Sequence, residues 1–117
     1  MKHQESKLQR ECIKWFRLQY PNHVLFAIPN GGYRSKIEAA IMKGEGVVSG
    51  VADLFLMCPN NTWNGFFIEI KSKTELLTKS QNDFRNKALD FRYRYDVCRS
   101  LDEFMWLVNN YLKIEEI

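Results

Sequence analysis

The feature that most constrains this chain is a pair of short apolar segments with charge set inside them. Val51-Ala52-Asp53-Leu54-Phe55-Leu56 carries one aspartate, and Phe67-Ile68-Glu69-Ile70-Lys71 carries a glutamate and a lysine two residues apart. Between them runs Pro59-Asn60-Asn61-Thr62-Trp63-Asn64-Gly65, dense in turn formers, so residues 51–58 and 66–72 are expected to fold back as an antiparallel hairpin. Strand side chains alternate, which places Glu69 and Lys71 on one face and Ile68 and Ile70 on the other. Paired this way, the hairpin sets Asp53 beside Glu69. A charge inside an apolar strand is costly unless it is paired or binds a metal.

The rest of the chain supplies helices around that hairpin. Leu8, Cys12, Ile13, Trp15 and Phe16 recur at helical spacing over roughly residues 4–19, and Tyr20-Pro21-Asn22 stops the run. Val24-Leu25-Phe26-Ala27-Ile28 is continuously apolar and ends at Pro29, the pattern of a buried strand, and Asn30-Gly31-Gly32 turns the chain. Three Ser/Thr-x-x-Glu/Gln capping boxes open helices at Ser35, Thr78 and Ser100. The first helix ends near Gly44 and Gly46, the second runs to about Phe91, and the third turns Phe104, Leu107, Val108 and Tyr111 inward. Residues 93–99 read as a strand. The order α-β-α-β-β-α-β-α makes a small mixed sheet flanked by helices, an α/β or α+β domain.

Composition narrows the class. At 117 residues there is room for one core, and 45% hydrophobic residues exclude a disordered tail. No apolar run approaches a membrane span, and the charged opening is not that of a signal peptide, so a cytosolic protein is expected. Cys12, Cys58 and Cys98 stand far apart with no CxxC, as expected of buried thiols rather than a disulfide framework or a zinc knuckle. His3 and His23 lack metal-ligand spacing. Seventeen basic residues against fourteen acids give +3, which permits a polyanionic partner without demanding one.

Two carboxylates brought together repel, and a hard divalent cation such as Mg²⁺ relieves the repulsion while also binding phosphate oxygens. A neighbouring lysine can orient or deprotonate water and stabilise the charge that develops on phosphorus. Asp53 with Glu69-x-Lys71 thus suits phosphodiester hydrolysis. The same residues also fit an edge strand with a solvent-facing Glu-Lys pair and a hydrogen-bonded aspartate. The run Gly46-Val47-Val48-Ser49-Gly50 suits a loop whose glycines let backbone approach a ligand.

On a helical wheel with Glu5 at zero, Leu8 falls near −60°, Cys12 near −20° and Phe16 near +20°, whereas Glu11 falls near −120°. Glu5 therefore lies in the apolar stripe, open to two readings: a third acid at the metal, or an N-terminal acid favoured by the helix dipole. Gln81 is the N3 residue of its capping box, and is open to a second reading in which it reaches the site as well. Arg34 and Ser35, at a glycine turn entering a helix, fit phosphate binding or plain exposure. Lys71, Lys73, Lys79, Arg85, Lys87, Arg92 and Arg94, interleaved with Phe91, Tyr93 and Tyr95, form a basic flank suited to nucleic acid or to a solvated face.

Taken in order, Asn30-Gly31-Gly32 with Arg34-Ser35-Lys36, Gly46…Ser49-Gly50-Val51-Ala52-Asp53-Leu54, Phe67-Ile68-Glu69-Ile70-Lys71 and Leu77-Thr78…Gln81 resemble the VRR-NUC (virus-type replication-repair nuclease) family of the PD-(D/E)xK superfamily. The resemblance spans residues 5–111. It implies a restriction-endonuclease-like α/β core filling residues 1–117 as one domain. It implies Mg²⁺ or Mn²⁺ held by Asp53, Glu69, the Ile70 carbonyl and Glu5, with Lys71 as catalytic lysine and Gln81 beside it. Stand-alone members are associated with homodimers that cut four-way DNA junctions. Two departures stand out: Ala52 replaces the usual proline, and Asp90-Phe91-Arg92-Tyr93 lacks the glycine often found before the last core strand.

The expectation is a metal-dependent, structure-selective DNA endonuclease of the cytoplasm, bacterial or phage-encoded, acting on a Holliday junction as a homodimer. Asp53, Glu69, Lys71 and Gln81 would form its catalytic set, and Arg34, Ser35, Lys73 and Lys79 would contact DNA. Phe104-Met105-Trp106-Leu107 offers a dimer interface or ordinary core. The rivals are a non-catalytic nucleic-acid-binding module, a nuclease for flaps, linear DNA or RNA, and a pure interaction domain.

Overall fold

The two charge-bearing segments pair antiparallel, as β2 (Leu54–Leu56) and β3 (Phe66–Ile70), with Leu54 opposite Ile68 and Leu56 opposite Phe66. One further step in that register sets Asp53 opposite Glu69. The strand β2 is shorter than the expected 51–58 at both ends, and at its start Asp53 Oδ2 accepts the Ile70 N–H at 2.8 Å, taking the donor that would continue the ladder.

The structure, a computed structural model, describes residues 3–29 and 35–115. Besides the hairpin it contains α1 (His3–Gln19), β1 (Leu25–Ala27), α2 (Lys36–Gly44), α3 (Lys79–Asp90), β4 (Arg94–Cys98) and α4 (Leu101–Glu115). Element types and order are those expected. The sheet runs β1-β2-β3-β4, with β3 and β4 parallel and the other pairs antiparallel.

Period-two alternation divides the sheet into two unlike faces. Ala52, Leu54, Leu56, Phe66, Ile68, Ile70 and Cys98 point to one side and are fully buried, with Cys12 and Phe16 of α1 and Phe104, Val108 and Tyr111 of α4 in the same core. Phe66 and Tyr111 stack there at 5.0 Å. On the other side Phe55, Phe67 and Tyr93 cluster, and Phe84 of α3 meets Phe67 edge-on at 5.0 Å. The same face continues through Asp53, Glu69 and Lys71. One face is thus apolar apart from the Arg94–Asp96 pair on β4, while the other changes from aromatic to charged along the strands.

The helix starts follow the sequence signals with small variations. At α3, Thr78 Oγ1 accepts the Gln81 N–H while Gln81 Oε1 accepts the Thr78 N–H, a complete capping box. At α4, Ser100 caps Glu103, but Glu103 reaches one residue further out, to the Arg99 N–H. At α2, Glu38 bonds the Ser35 hydroxyl rather than its backbone.

Three expectations are overturned. The apolar segment of β1 is an edge strand with Phe26 and Ala27 exposed, not a buried one, because only β2 pairs with it. Phe104 and Leu107 are core, which removes them as an interface, and only Trp106 of that run is strongly exposed. Gly50 (φ +88°) approaches protein rather than ligand: a Cβ there would collide with the Ser80 carbonyl at the start of α3. All three cysteines are buried and free, as expected.

Candidate active site

Asp53, Glu69 and Lys71 meet where β2 and β3 end, under the first turn of α3. Because β3 is a central strand, Glu69 and Lys71 are each only 4% exposed, so the solvent-facing edge-strand reading does not describe them. Gln81 serves two ends at once: its Oε1 closes the capping box and its Nε2 donates to Glu69 Oε2 at 3.2 Å. Gly50 lets the segment before Asp53 lie against Ser80, so the aspartate strand and the glutamine helix register on each other.

One carboxylate oxygen of the site is uncompensated. Glu69 Oε1 is buried and meets no donor among the described residues. Burial, and next the adjacent Asp53 charge, push the Glu69 carboxyl up to about 9, with Lys71 pulling the other way. Burial also raises Asp53 above the usual carboxylate range, against its hydrogen bond from Ile70. Two desolvated acids with one lysine are short of positive charge. A hard divalent cation fits that donor set. The Ile70 carbonyl fits too: the Lys71 N–H goes to Cys98 O, so in the same trans peptide the Ile70 C=O points the opposite way, toward β2 and Asp53.

Glu5 is buried, as the wheel indicates, and its carboxyl is raised first by burial and then by its hydrogen bond with Glu75. Its Oε2 accepts the Ser72 N–H at 3.1 Å, one residue past Lys71. Among the described residues no three His, Cys, Asp or Glu gather at metal-holding distance, so this geometry does not bring Glu5 into the Asp53–Glu69 pair. Glu5, Leu8, Lys71, Lys73 and Arg99 instead line an adjoining cavity of about 430 Å³.

The outer contacts are scattered. Lys73 is exposed at the rim of that cavity. Lys79 is exposed and ion-paired to Asp83 at 3.0 Å, and Ser35 is occupied in capping α2. Arg34 lies outside the described residues. Of the interleaved aromatics, Tyr93 and Tyr95 pack in the aromatic cluster while Phe91 stays exposed, and Arg94 sits over the Phe66 ring, on the opposite side of the sheet from the site. Sequence reasoning misses Arg99, whose Nη1 donates to the Ser72 and Glu75 carbonyls and clamps the segment after Lys71. Its signal arises only once β4 lies parallel to β3, and no local pattern announces it.

The sequence profile of the VRR-NUC domain matches residues 1–102. Among solved structures, one described as a VRR-NUC domain protein superposes with a TM-score of 0.82 over 97% of this chain and 92% of that one, at 22% identity, which speaks for the fold. No protein of curated function matches the chain. No described helix is long and apolar enough to cross a membrane. The profile covers most of the chain, and the chain belongs to the VRR-NUC family of nuclease-type domains.

Proposed function

We propose that this domain is a metal-dependent, structure-selective DNA endonuclease, working as a homodimer on four-way junctions. The observation that carries the reading is a half-buried Asp53 set against a buried Glu69, with Glu69 Oε1 left without a donor among the described residues beside Lys71. Asp53, Glu69 and the Ile70 carbonyl would hold Mg²⁺ or Mn²⁺, which supplies charge neutralisation, an acidified water and a Lewis acid for a phosphoryl oxygen. Gln81 fixes the Glu69 rotamer. Lys71 orients the attacking water and stabilises negative charge on the phosphoryl oxygens as the water adds in line and the leaving oxygen departs. Glu5 and Arg99, through Ser72, hold the backbone that presents Lys71. Lys73, Lys79 and the start of α2 at Arg34 and Ser35 are the proposed DNA contacts.

A homodimer suits a substrate with two equivalent strands, and α2 supports it. This helix buries none of its residues, and Ile37 and Ile41 are 74% and 56% exposed. At about 100° per residue, Ile37, Ile41 and Gly44 fall on one stripe, with Lys36 and Lys43 along one flank and Glu38 and Glu45 along the other. A dyad parallel to the helix axis sets the lysine flank of each copy against the glutamate flank of the other, while the isoleucines close the seam.

The test is cleavage of labelled four-way junction, flap, duplex and single strand, with and without Mg²⁺ or Mn²⁺, beside Asp53→Ala and Lys71→Ala. Symmetric, metal-dependent nicks on the junction alone, lost in both variants, are expected. Cleavage surviving both substitutions defeats the site assignment, and a monomer in solution defeats the resolvase.

A further inference from the structure

We infer that Tyr95 is a positioning residue for Glu69, its hydroxyl donating to Glu69 Oε1 when that carboxylate is ionised. The inference rests on the reading of Glu69 as a metal ligand. Parallel pairing of β3 and β4 sets Tyr95 beside Phe67, two residues before Glu69 and on the same face. With strands about 4.8 Å apart and a rise of about 3.3 Å per residue, such diagonal neighbours lie roughly 8 Å apart, within reach of an aromatic side chain.

Two unmet needs lie on that one face of the sheet. Tyr95 is 7% exposed, and its hydroxyl is buried with no hydrogen-bond partner among the described residues. Glu69 Oε1 is a buried acceptor with no donor among them. The charges of Glu69 and Asp53 act on the Tyr95 hydroxyl, raising it further after burial has done most, so the groups are electrostatic neighbours. A buried donor left unmade is costly, and the same holds for an acceptor, so one bond between them would remove both penalties. Phe84 of α3 packs on the Tyr95 ring and limits where it can swing.

The bond also completes a logic already visible. Gln81 holds Glu69 Oε2 from the α3 side. A tyrosine on Oε1 from the β4 side would fix the carboxylate plane and hold its charged form, leaving lone pairs toward Asp53 for a cation. Residues that orient a ligating carboxylate typically change metal affinity 10–100-fold.

The experiment is Mn²⁺ titration of the full chain by calorimetry, without DNA, comparing wild type, Tyr95→Phe, Gln81→Ala and Asp53→Ala. The expected result is that Tyr95→Phe binds Mn²⁺ roughly 10–100-fold more weakly while its melting temperature in chelator is unchanged or higher, since only an unsatisfied hydroxyl is removed. Wild-type affinity in Tyr95→Phe, with binding lost in Asp53→Ala, overturns the role of Tyr95 and leaves the metal site standing. A fall in melting temperature that matches the loss of binding also overturns it, marking Tyr95 as packing. A wild-type chain that takes up no Mn²⁺ overturns the metal reading and this inference together.

Discussion

Two regions of the molecule break the usual partition of residues, in opposite senses. At the ends of β2 and β3, Glu69 and Lys71 are withdrawn from water inside the protein, with a half-buried Asp53 beside them. On α2, two isoleucines stand in water on a helix with no buried residue. Burying charge and exposing clustered apolar surface are both unfavourable, and under the proposed function each would be completed by a partner from outside the chain. The completing chemistry differs accordingly. The buried acids call for a cation and a phosphate, whereas the exposed stripe calls for another apolar surface with matching flanks. The site belongs to the rigid sheet, and α2 stands apart from it, so the two can be perturbed separately.

The largest effect should separate them at once. Lys71→Ala should lower cleavage by about 10²–10³-fold, with dimerisation untouched, as read by junction nicking and by sedimentation. Conversely, Ile41→Glu should convert dimer to monomer and abolish paired nicking. Its effect on monomer stability should stay within about 0.5 kcal/mol, because the side chain is already exposed. A chain with Ile41→Glu that still sediments as a dimer would show that the seam between copies is not on α2.

A milder probe is pH. Glu69 titrates at about 9 in the fold, and Asp53 is raised as well, both by burial first. Raised carboxyls bind protons more tightly folded than unfolded, so their contribution is fully present below the ordinary carboxylate pKa and is lost as pH climbs through the folded value. In chelator, the melting temperature should therefore fall between about pH 5 and pH 9, more in wild type than in Glu69→Gln. Mn²⁺ should restore most at the alkaline end. A flat profile in wild type would mean that the acids are solvated and that α2 is the one region calling for an outside partner.

The smallest effect concerns a place that needs no partner. Arg92 closes α3 at φ 65°, the left-handed region that favours glycine. Arg92→Gly should gain roughly 0.5–1 kcal/mol by relieving that strain, part of it offset by the freer unfolded chain. Chemical denaturation should give the same gain with or without metal and at any protein concentration. A gain that varies with either would tie this turn to one of the two incomplete regions.

Much of the site is legible in the residues alone. Alternation puts Glu69 and Lys71 on one face and, with the hairpin, Asp53 next to Glu69. The wheel puts Glu5 inside, and the capping box puts Gln81 at the start of its helix. Each of those rests on a period or a short spacing, which the chain carries locally. Other features are not legible, for equally local reasons. A continuous apolar run reads alike at the centre and at the edge of a sheet, so nothing in residues 24–28 marks β1 as exposed. The apolar run 104–107 likewise does not say which side of its helix meets the core.

The sequence by itself determined the order of elements, their caps, the two-faced hairpin and the carboxylate-lysine set. Tertiary structure alone decided that β3 is central, that its Glu69 and Lys71 are dry, and that Tyr95, Arg99 and Ser80 are their neighbours. The physical reason is the parallel crossover through α3. It brings β4 and the start of a helix against β3 from far along the chain, and dehydration of a charge depends on everything that surrounds it rather than on the residues beside it in sequence.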